Sequence, residues 1–285
     1  MACRPPARRR RRPPPRLTSS TSPGIGEGIA ARLAAEGAAV VVSSRKRSAV
    51  DAAVARLRAG GAARVAGVEC HVGDAAALAR LVRFALDTFG PPDVLVSNAA
   101  VNPAVGGLLD LAPDAIDKIL DINVKAAIAL CRACVPHMPP GGEARQVLHS
   151  LIGLVSWKIN YPQTIQPTNQ PTNPTVNRSP PILIQSNLKY LPAGAVVFVS
   201  SYTAFNPTGP LAMYAVSKTA LLGLTKALAE ELAPAGLRVN CVAPGVVPTK
   251  FAAALVATPE AEAGAKARTL VGRLGTPADI AAAVA

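Results

Sequence analysis

Tyr214 and Lys218 stand four residues apart in the segment Met213-Tyr-Ala-Val-Ser-Lys-Thr219, and Ser201 lies upstream of them. Four residues make one helical turn, so the phenol and the ammonium share a helix face. A nearby ammonium favours the phenolate and lowers a phenol pKa from its usual value of about 10. Tyr214 is therefore a candidate proton donor and acceptor near neutral pH. Ser201 ends the apolar run Ala195-Val-Val-Phe-Val-Ser-Ser201, which has the composition of a buried strand. A hydroxyl at the C-terminal end of a strand faces the cleft in which α/β sheets bind ligands. Taken alone, Tyr-x-x-x-Lys equally describes an amphipathic helix with a half-buried tyrosine and a solvated lysine. The serine-ended strand, together with a glycine turn near the N-terminus, favours chemistry.

That turn is Ser19-Ser-Thr-Ser-Pro-Gly-Ile-Gly26. Gly24 and Gly26 let the backbone approach a pyrophosphate, and the helix that follows points its first amides and its positive dipole end at the phosphates. Ser20, Ser22, Gly24, Ile25 and Gly26 are the cofactor-binding candidates here. Gly37 closes this helix as a C-terminal cap. The next strand, Ala38-Ala-Val-Val-Val-Ser-Ser-Arg-Lys-Arg47, ends in hydroxyls and cations. Sites selective for NAD place an acid after this strand to hold the ribose 2′-hydroxyl. Ser44, Arg45 and Lys46 stand there instead, and the planar fork of Arg45 suits the 2′-phosphate of NADP. An ordinary solvated basic loop has the same composition.

The elements that must position these groups alternate along the chain. Apolar strands are predicted at 38–44, 64–70, 93–97, 195–200 and 237–242. Helices are predicted at 24–36, 48–59, 75–89, 112–135, 211–233 and 277–284. This alternation specifies an α/β domain built on a doubly wound, Rossmann-like parallel sheet. With 285 residues, half of them apolar, the chain can bury one ample core. No apolar run approaches the ~18 residues of a membrane span.

The ordered set of these segments resembles the short-chain dehydrogenase/reductase family, from about Ser19 to Ala285. Within it the chain is most similar to the member-four type of NADPH-dependent carbonyl reductase. The resemblance rests on the Gly-Ile-Gly turn, Val41-Val-Ser-Ser-Arg-Lys46, Cys70-His-Val72, Val96-Ser-Asn-Ala-Ala100 and Ile122-Asn-Val-Lys125. It continues through Val199-Ser-Ser201, Tyr214-Ala-Val-Ser-Lys218, Arg238-Val-Asn-Cys-Val-Ala-Pro-Gly245 and Arg273-Leu-Gly275. It implies a catalytic tetrad of Asn123, Ser201, Tyr214 and Lys218. Ser201 would hold the substrate carbonyl oxygen and Tyr214 would protonate it. Lys218 would lower the Tyr214 pKa and bind the nicotinamide ribose, and Asn123 would hold a water linking Lys218 to solvent. His71 and Val72 would lie against the adenine, and Asn98, Ala99 and Ala100 beneath the adenosine ribose. Pro244, Gly245, Val247 and Thr249 would contact the nicotinamide carboxamide and the pyrophosphate. The implied cofactor is NADP, and the implied activity is interconversion of ketones or aldehydes and alcohols. The family also implies a homo-oligomer and a place in the cytosol or peroxisome.

Three regions depart from that pattern. Residues 1–18 form a basic, Pro/Arg-rich segment with seven Arg and no acid, where the family has an apolar first strand. Proline cannot complete a central strand ladder, so the first strand is expected to be missing. An insert at about 143–191, rich in Pro, Asn, Gln and Thr, interrupts the domain at 19–285 and is expected to be a disordered loop. The chain stops where the family continues to a last strand, which puts the substrate pocket and the subunit interface in doubt. The alternative function is therefore a catalytically inactive family member, truncated or with wrongly assigned exons, that has at most an interaction role.

The net charge is +13, of which the seven N-terminal arginines supply +7, leaving +6 for the rest. No helix shows a basic stripe with interleaved aromatics, so nucleic-acid binding is not expected. The Arg-rich start has the composition of an organelle transit peptide, or of a wrongly assigned first exon. Cys131, Cys134 and His137 have spacing that could hold a metal, yet they share one apolar helix, so packing cysteines and no metal are expected. The thiols show no pairing pattern and are expected to be reduced inside a cell.

Overall fold

The computed structural model describes residues 24–139, 149–150, 194–207 and 209–285. Six parallel strands form one sheet in the order β2-β1-β4-β3-β5-β6. They are β1 (Ala39–Ser44), β2 (Val65–Glu69), β3 (Val94–Ser97), β4 (His149–Ser150), β5 (Gly194–Val199) and β6 (Leu237–Val242). The helices between them are α1 (Ile25–Ala35), α2 (Arg47–Ala59), α3 (Ala75–Phe89), α4 (Pro113–Leu120), α5 (Ala126–Cys134), α6 (Ala212–Leu232), α7 (Pro259–Ala267) and α8 (Pro277–Ala282). The sheet winds outward from its centre in both directions, which leaves a crevice at the C-terminal strand ends where the direction reverses.

The slot between β1 and β3 is where a first strand would lie. Residues 1–23, on which the expectation of its absence rests, fall outside the described residues. Among the described residues β4, drawn from the segment expected to be a structureless insert, lies at the start of this slot. His149 aligns with Ala39, and Ser150 aligns with both Val40 and Val94, in parallel register. Two residues span only the start of the ladder that β1 and β3 offer. The remainder of the 143–191 segment lies outside the described residues.

Each face of the sheet carries its own core. On one face Leu78, Leu81 and Val82 of α3, Leu130 of α5 and Leu221 of α6 bury Leu95, Val196 and Phe198. On the other, Ile29 and Leu33 of α1, Leu57 of α2 and Ala281 of α8 cover Val40, Val65, Val199 and Val242. Fully burying one such side chain contributes roughly 1.5–3 kcal/mol. Gly28 lets α1 and α8 meet: a Cβ there would come within 2.7 Å of the Pro277 Cβ. Gly37 caps α1 as expected, with φ at 95° and its N–H donating to the Ala34 carbonyl at 3.0 Å.

The single helix expected over 112–135 is two helices joined by a π-helical turn, Asp121–Lys125, which contains Asn123. Periodicity could not reveal this, because one extra residue in a turn leaves the apolar pattern on both sides intact. Helix α7 was not foreseen. Its signals are nevertheless local: Thr258 caps the Ala261 N–H, Pro259 opens the helix, and Glu260 and Glu262 fill the first turn.

Candidate active site

Ser201 follows β5 at the C-terminal edge of the sheet, and its Oγ accepts the Thr203 N–H at 3.2 Å to open a 3₁₀ turn. Tyr214 and Lys218 come from the first two turns of α6, which packs beside that edge. The Ser201 hydroxyl acts on the Tyr214 phenol, favouring its charged form. The Lys218 Nζ lies 5.6 Å from the centre of the Tyr214 ring and donates to the Val199 carbonyl at 2.7 Å. The strand end and the helix face therefore bring the expected trio together, and all three side chains are buried.

Burial rather than mutual charge sets their electrostatics. It pushes the Tyr214 phenol up to about 12, against the lowering effect of Ser201 and reinforced by Tyr202. It pulls the Lys218 ammonium down to about 8, with Cys241 acting weakly the other way. The expected lowering of the Tyr214 pKa by Lys218 is thus not what this arrangement produces. The physical reason is that Nζ points at a backbone carbonyl, and both groups sit where either charge is poorly solvated. Lys218, 2% exposed, is a buried ammonium that gives up its proton unusually easily.

Asn123 is 1% exposed and its side chain is a clamp. Its Oδ1 accepts the Val101 N–H at 2.8 Å. Its Nδ2 donates to the Val101 carbonyl at 3.0 Å and to Ser217 Oγ at 2.9 Å. The Ser217 hydroxyl in turn donates to the Tyr214 carbonyl at 2.7 Å. Both amide donors are used, so the Asn123 side chain ties the loop after β3 to the turn of α6 that carries Tyr214 and Lys218. Sequence reasoning missed Ser217, although it lies inside the Tyr-x-x-x-Lys motif. It also missed Phe251, whose ring packs 5.6 Å from that of Tyr214 while remaining 54% exposed.

Of the remaining expected residues, the described ones open α1 or follow the ends of the strands. Gly24 is the N-cap of α1, with open space where a Cβ would sit. At Gly26 a Cβ would press to 2.8 Å from Asn98 Nδ2, so the glycine is what lets the helix start approach the loop 98–100 after β3. This pairing of a bare helix N-terminus with a glycine-enabled close approach fits a dinucleotide pyrophosphate. Ile25 also packs into the core, as does Val72. Ser20 and Ser22 lie outside the described residues. Ser44 ends β1, and Arg45 and Lys46 follow it in exposed positions. Among the described residues neither cation forms an ion pair, whereas the adjacent Arg47 is held by Asp51. His71 Nδ1 accepts the Gly73 N–H at 3.2 Å, which leaves Nε2 to carry the ring proton of the neutral form. Pro244 and Val247 are buried, Gly245 is exposed and Thr249 is half-buried. The Pro244 carbonyl accepts the Tyr202 N–H at 2.9 Å, which fixes this loop against the turn after Ser201.

Cys131 and Cys134 are buried, and burial pushes both thiols up to about 12, while His137 is exposed. No cluster of three metal-ligating side chains occurs among the described residues. Nor, among them, is any helix long and apolar enough to cross a membrane.

The chain is similar to known proteins. A family model described as enoyl-(acyl carrier protein) reductase matches residues 20–160 and 178–285. Dehydrogenase/reductase SDR family member 4 of Pongo abelii is 41% identical over 268 residues, which cover 94% of this chain and 78% of that protein. Tropinone reductase-like 3 of Erythroxylum coca is 39% identical over 269 residues, covering 94% of this chain and 83% of that protein. Among solved structures, a short chain dehydrogenase from Burkholderia cenocepacia in complex with NADP is similar at 30% identity and a TM-score of 0.66, over 91% of this chain and 83% of that one.

Proposed function

The chain belongs to the short-chain dehydrogenase/reductase family and is an oxidoreductase acting on CH–OH groups, and we propose that within it the chain is an NADPH-dependent carbonyl reductase. Its substrates in this reading are small ketones or aldehydes and the matching alcohols. The observation that carries it is the convergence of Ser201, Tyr214 and Lys218 at one strand end. Ser201 Oγ accepts a backbone N–H, which fixes the hydroxyl at the strand end, and its proton is the donor it would offer a substrate carbonyl oxygen. The Tyr214 hydroxyl beside it delivers the proton that turns that oxygen into an alcohol. Lys218, with its pKa near 8, can hand a proton back toward Tyr214 near neutral pH. When bound, the nicotinamide cofactor supplies the hydride. Gly24, Gly26 and Asn98 would hold its pyrophosphate side, and Lys218 its ribose.

Preference for NADPH is supported by Arg45 and Lys46, two exposed cations without an ion pair among the described residues, where an NAD site would carry an acid. The relative from Burkholderia cenocepacia binds NADP.

The test is Tyr214→Phe in the purified chain. Loss of a general acid lowers turnover by about 10²–10⁴-fold. Carbonyl reduction should fall by that factor while NADPH binding, followed by fluorescence, stays within about threefold. A variant that keeps more than about a tenth of the wild-type rate refutes the assignment of Tyr214. A folded wild type that reduces no carbonyl compound returns the chain to the inactive alternative.

A further inference from the structure

We propose that Ser200 is a positioning residue for proton transfer: with the Val199 carbonyl beside it, the Ser200 hydroxyl holds Lys218 at both ends. This rests on the reductase reading above and adds a residue to it. Ser200 is 3% exposed, and its N–H donates to the Val242 carbonyl at 2.6 Å, which locks it into the β5–β6 ladder. Its Oγ donates to the Lys218 carbonyl at 2.7 Å. The other end of the same residue, Nζ, donates to the Val199 carbonyl at 2.7 Å. Two consecutive residues of the strand end therefore grip the backbone and the side-chain tip of one helical residue.

A carbonyl inside a helix already accepts the N–H of the residue four further on. The Ser200 bond is thus not needed to make α6; it is a lateral tether between sheet and helix. Its place fixes its consequence. Ser201, next in the chain, holds the reacting hydroxyl, and Tyr214 lies one helical turn before Lys218. The tether consequently sets the distance between the two sides of the proton-transfer site. Asn123 and Ser217 brace the other flank of the same turn. Without the Ser200 hydroxyl, α6 is free to shift against β5 at the one turn where a displacement of about 1 Å matters most.

The experiment compares Ser200→Ala with Val196→Ala. Val196 is fully buried in the same strand, and its truncation loosens the core while leaving in place the groups that make both bonds to Lys218. Ser200→Ala should lower kcat by roughly 10–100-fold with the KM for NADPH within about threefold. Its second readout needs no turnover. The Tyr214 phenol, isolated as an ultraviolet difference against Tyr214→Phe, should titrate about one pH unit lower as water reaches the loosened turn. Val196→Ala should lower the melting temperature yet leave that titration and the pH profile of kcat in place. Ser200→Cys, close in size but a weak donor, gives the same readouts if the alanine variant does not fold. Unchanged kcat and phenol titration in the Ser200 variants overturn the proposal, as does an equal phenol shift in Val196→Ala. If the wild type itself turns over nothing, the reductase reading fails, while the phenol titration still decides whether Ser200 tethers the site.

Discussion

Lys218→Met isolates the energetic consequence of burying an ammonium at this site. Lys218 is 2% exposed, and burial lowers its pKa from 10.5 to about 8. Below about pH 8 both the folded and the unfolded chain carry the proton, and the folded state bears the full penalty. Two and a half pH units correspond to about 3 kcal/mol. Between about pH 8 and pH 10.5 the unfolded chain holds more protons than the folded one, so stability from this group rises with pH. Methionine has no such dependence. It also forfeits the bond from Nζ to the Val199 carbonyl, a charged hydrogen bond worth about 1.5–3 kcal/mol. At about pH 7 the two effects nearly cancel, and the variant should be as stable as the wild type or up to ~2 kcal/mol more so. At about pH 9.5 the wild type should have recovered about 2 kcal/mol relative to the variant. Cys131 and Cys134, raised to about 12 by burial, and Tyr214, raised likewise, push stability the other way at high pH. They are present in both proteins and drop out of the difference. Urea denaturation of both proteins at the two pH values measures it. A stability difference that stays constant within about 0.5 kcal/mol between them would refute the claim that a poorly solvated ammonium sits at this position.

Two further outcomes follow from the same geometry. Arg45→Asp should weaken NADPH and improve NADH relative to it by at least tenfold, about 1.4 kcal/mol, through repulsion added to lost attraction; titration of both cofactors against wild type and variant checks this, and an unchanged ratio refutes the role of Arg45. Asn123→Ala removes three hydrogen bonds at a site 1% exposed, of which the half-buried Val101 groups can partly recover water. A loss of about 1–3 kcal/mol and a melting temperature lower by roughly 3–10 °C are expected, and a shift under about 1 °C would show that the clamp carries no load.

Features that depend on neighbours a few residues apart were legible along the chain. The four-residue spacing of Tyr214 and Lys218 places them on one helix face, and a run such as Leu237–Val242 forms a strand, because both follow from backbone geometry. Gly37 was legible as a cap for the same reason, and the signals of α7 were present at Thr258 and Pro259. Features that depend on distant partners were fixed only by packing. The start of the central slot of the sheet went to His149–Ser150, because parallel pairing is satisfied by whichever backbone lies alongside, whatever its composition. Asn123 became a clamp because Val101 and Ser217, 22 and 94 residues away along the chain, arrive beside it. The spacing of Tyr214 and Lys218 announced an activated phenol, yet the packed site raises the phenol and lowers the ammonium. Motif spacing records which groups can meet. Their protonation depends on how much water the rest of the fold leaves around them, and that is settled only when the β5 edge, α6 and the loop after β3 close on one another.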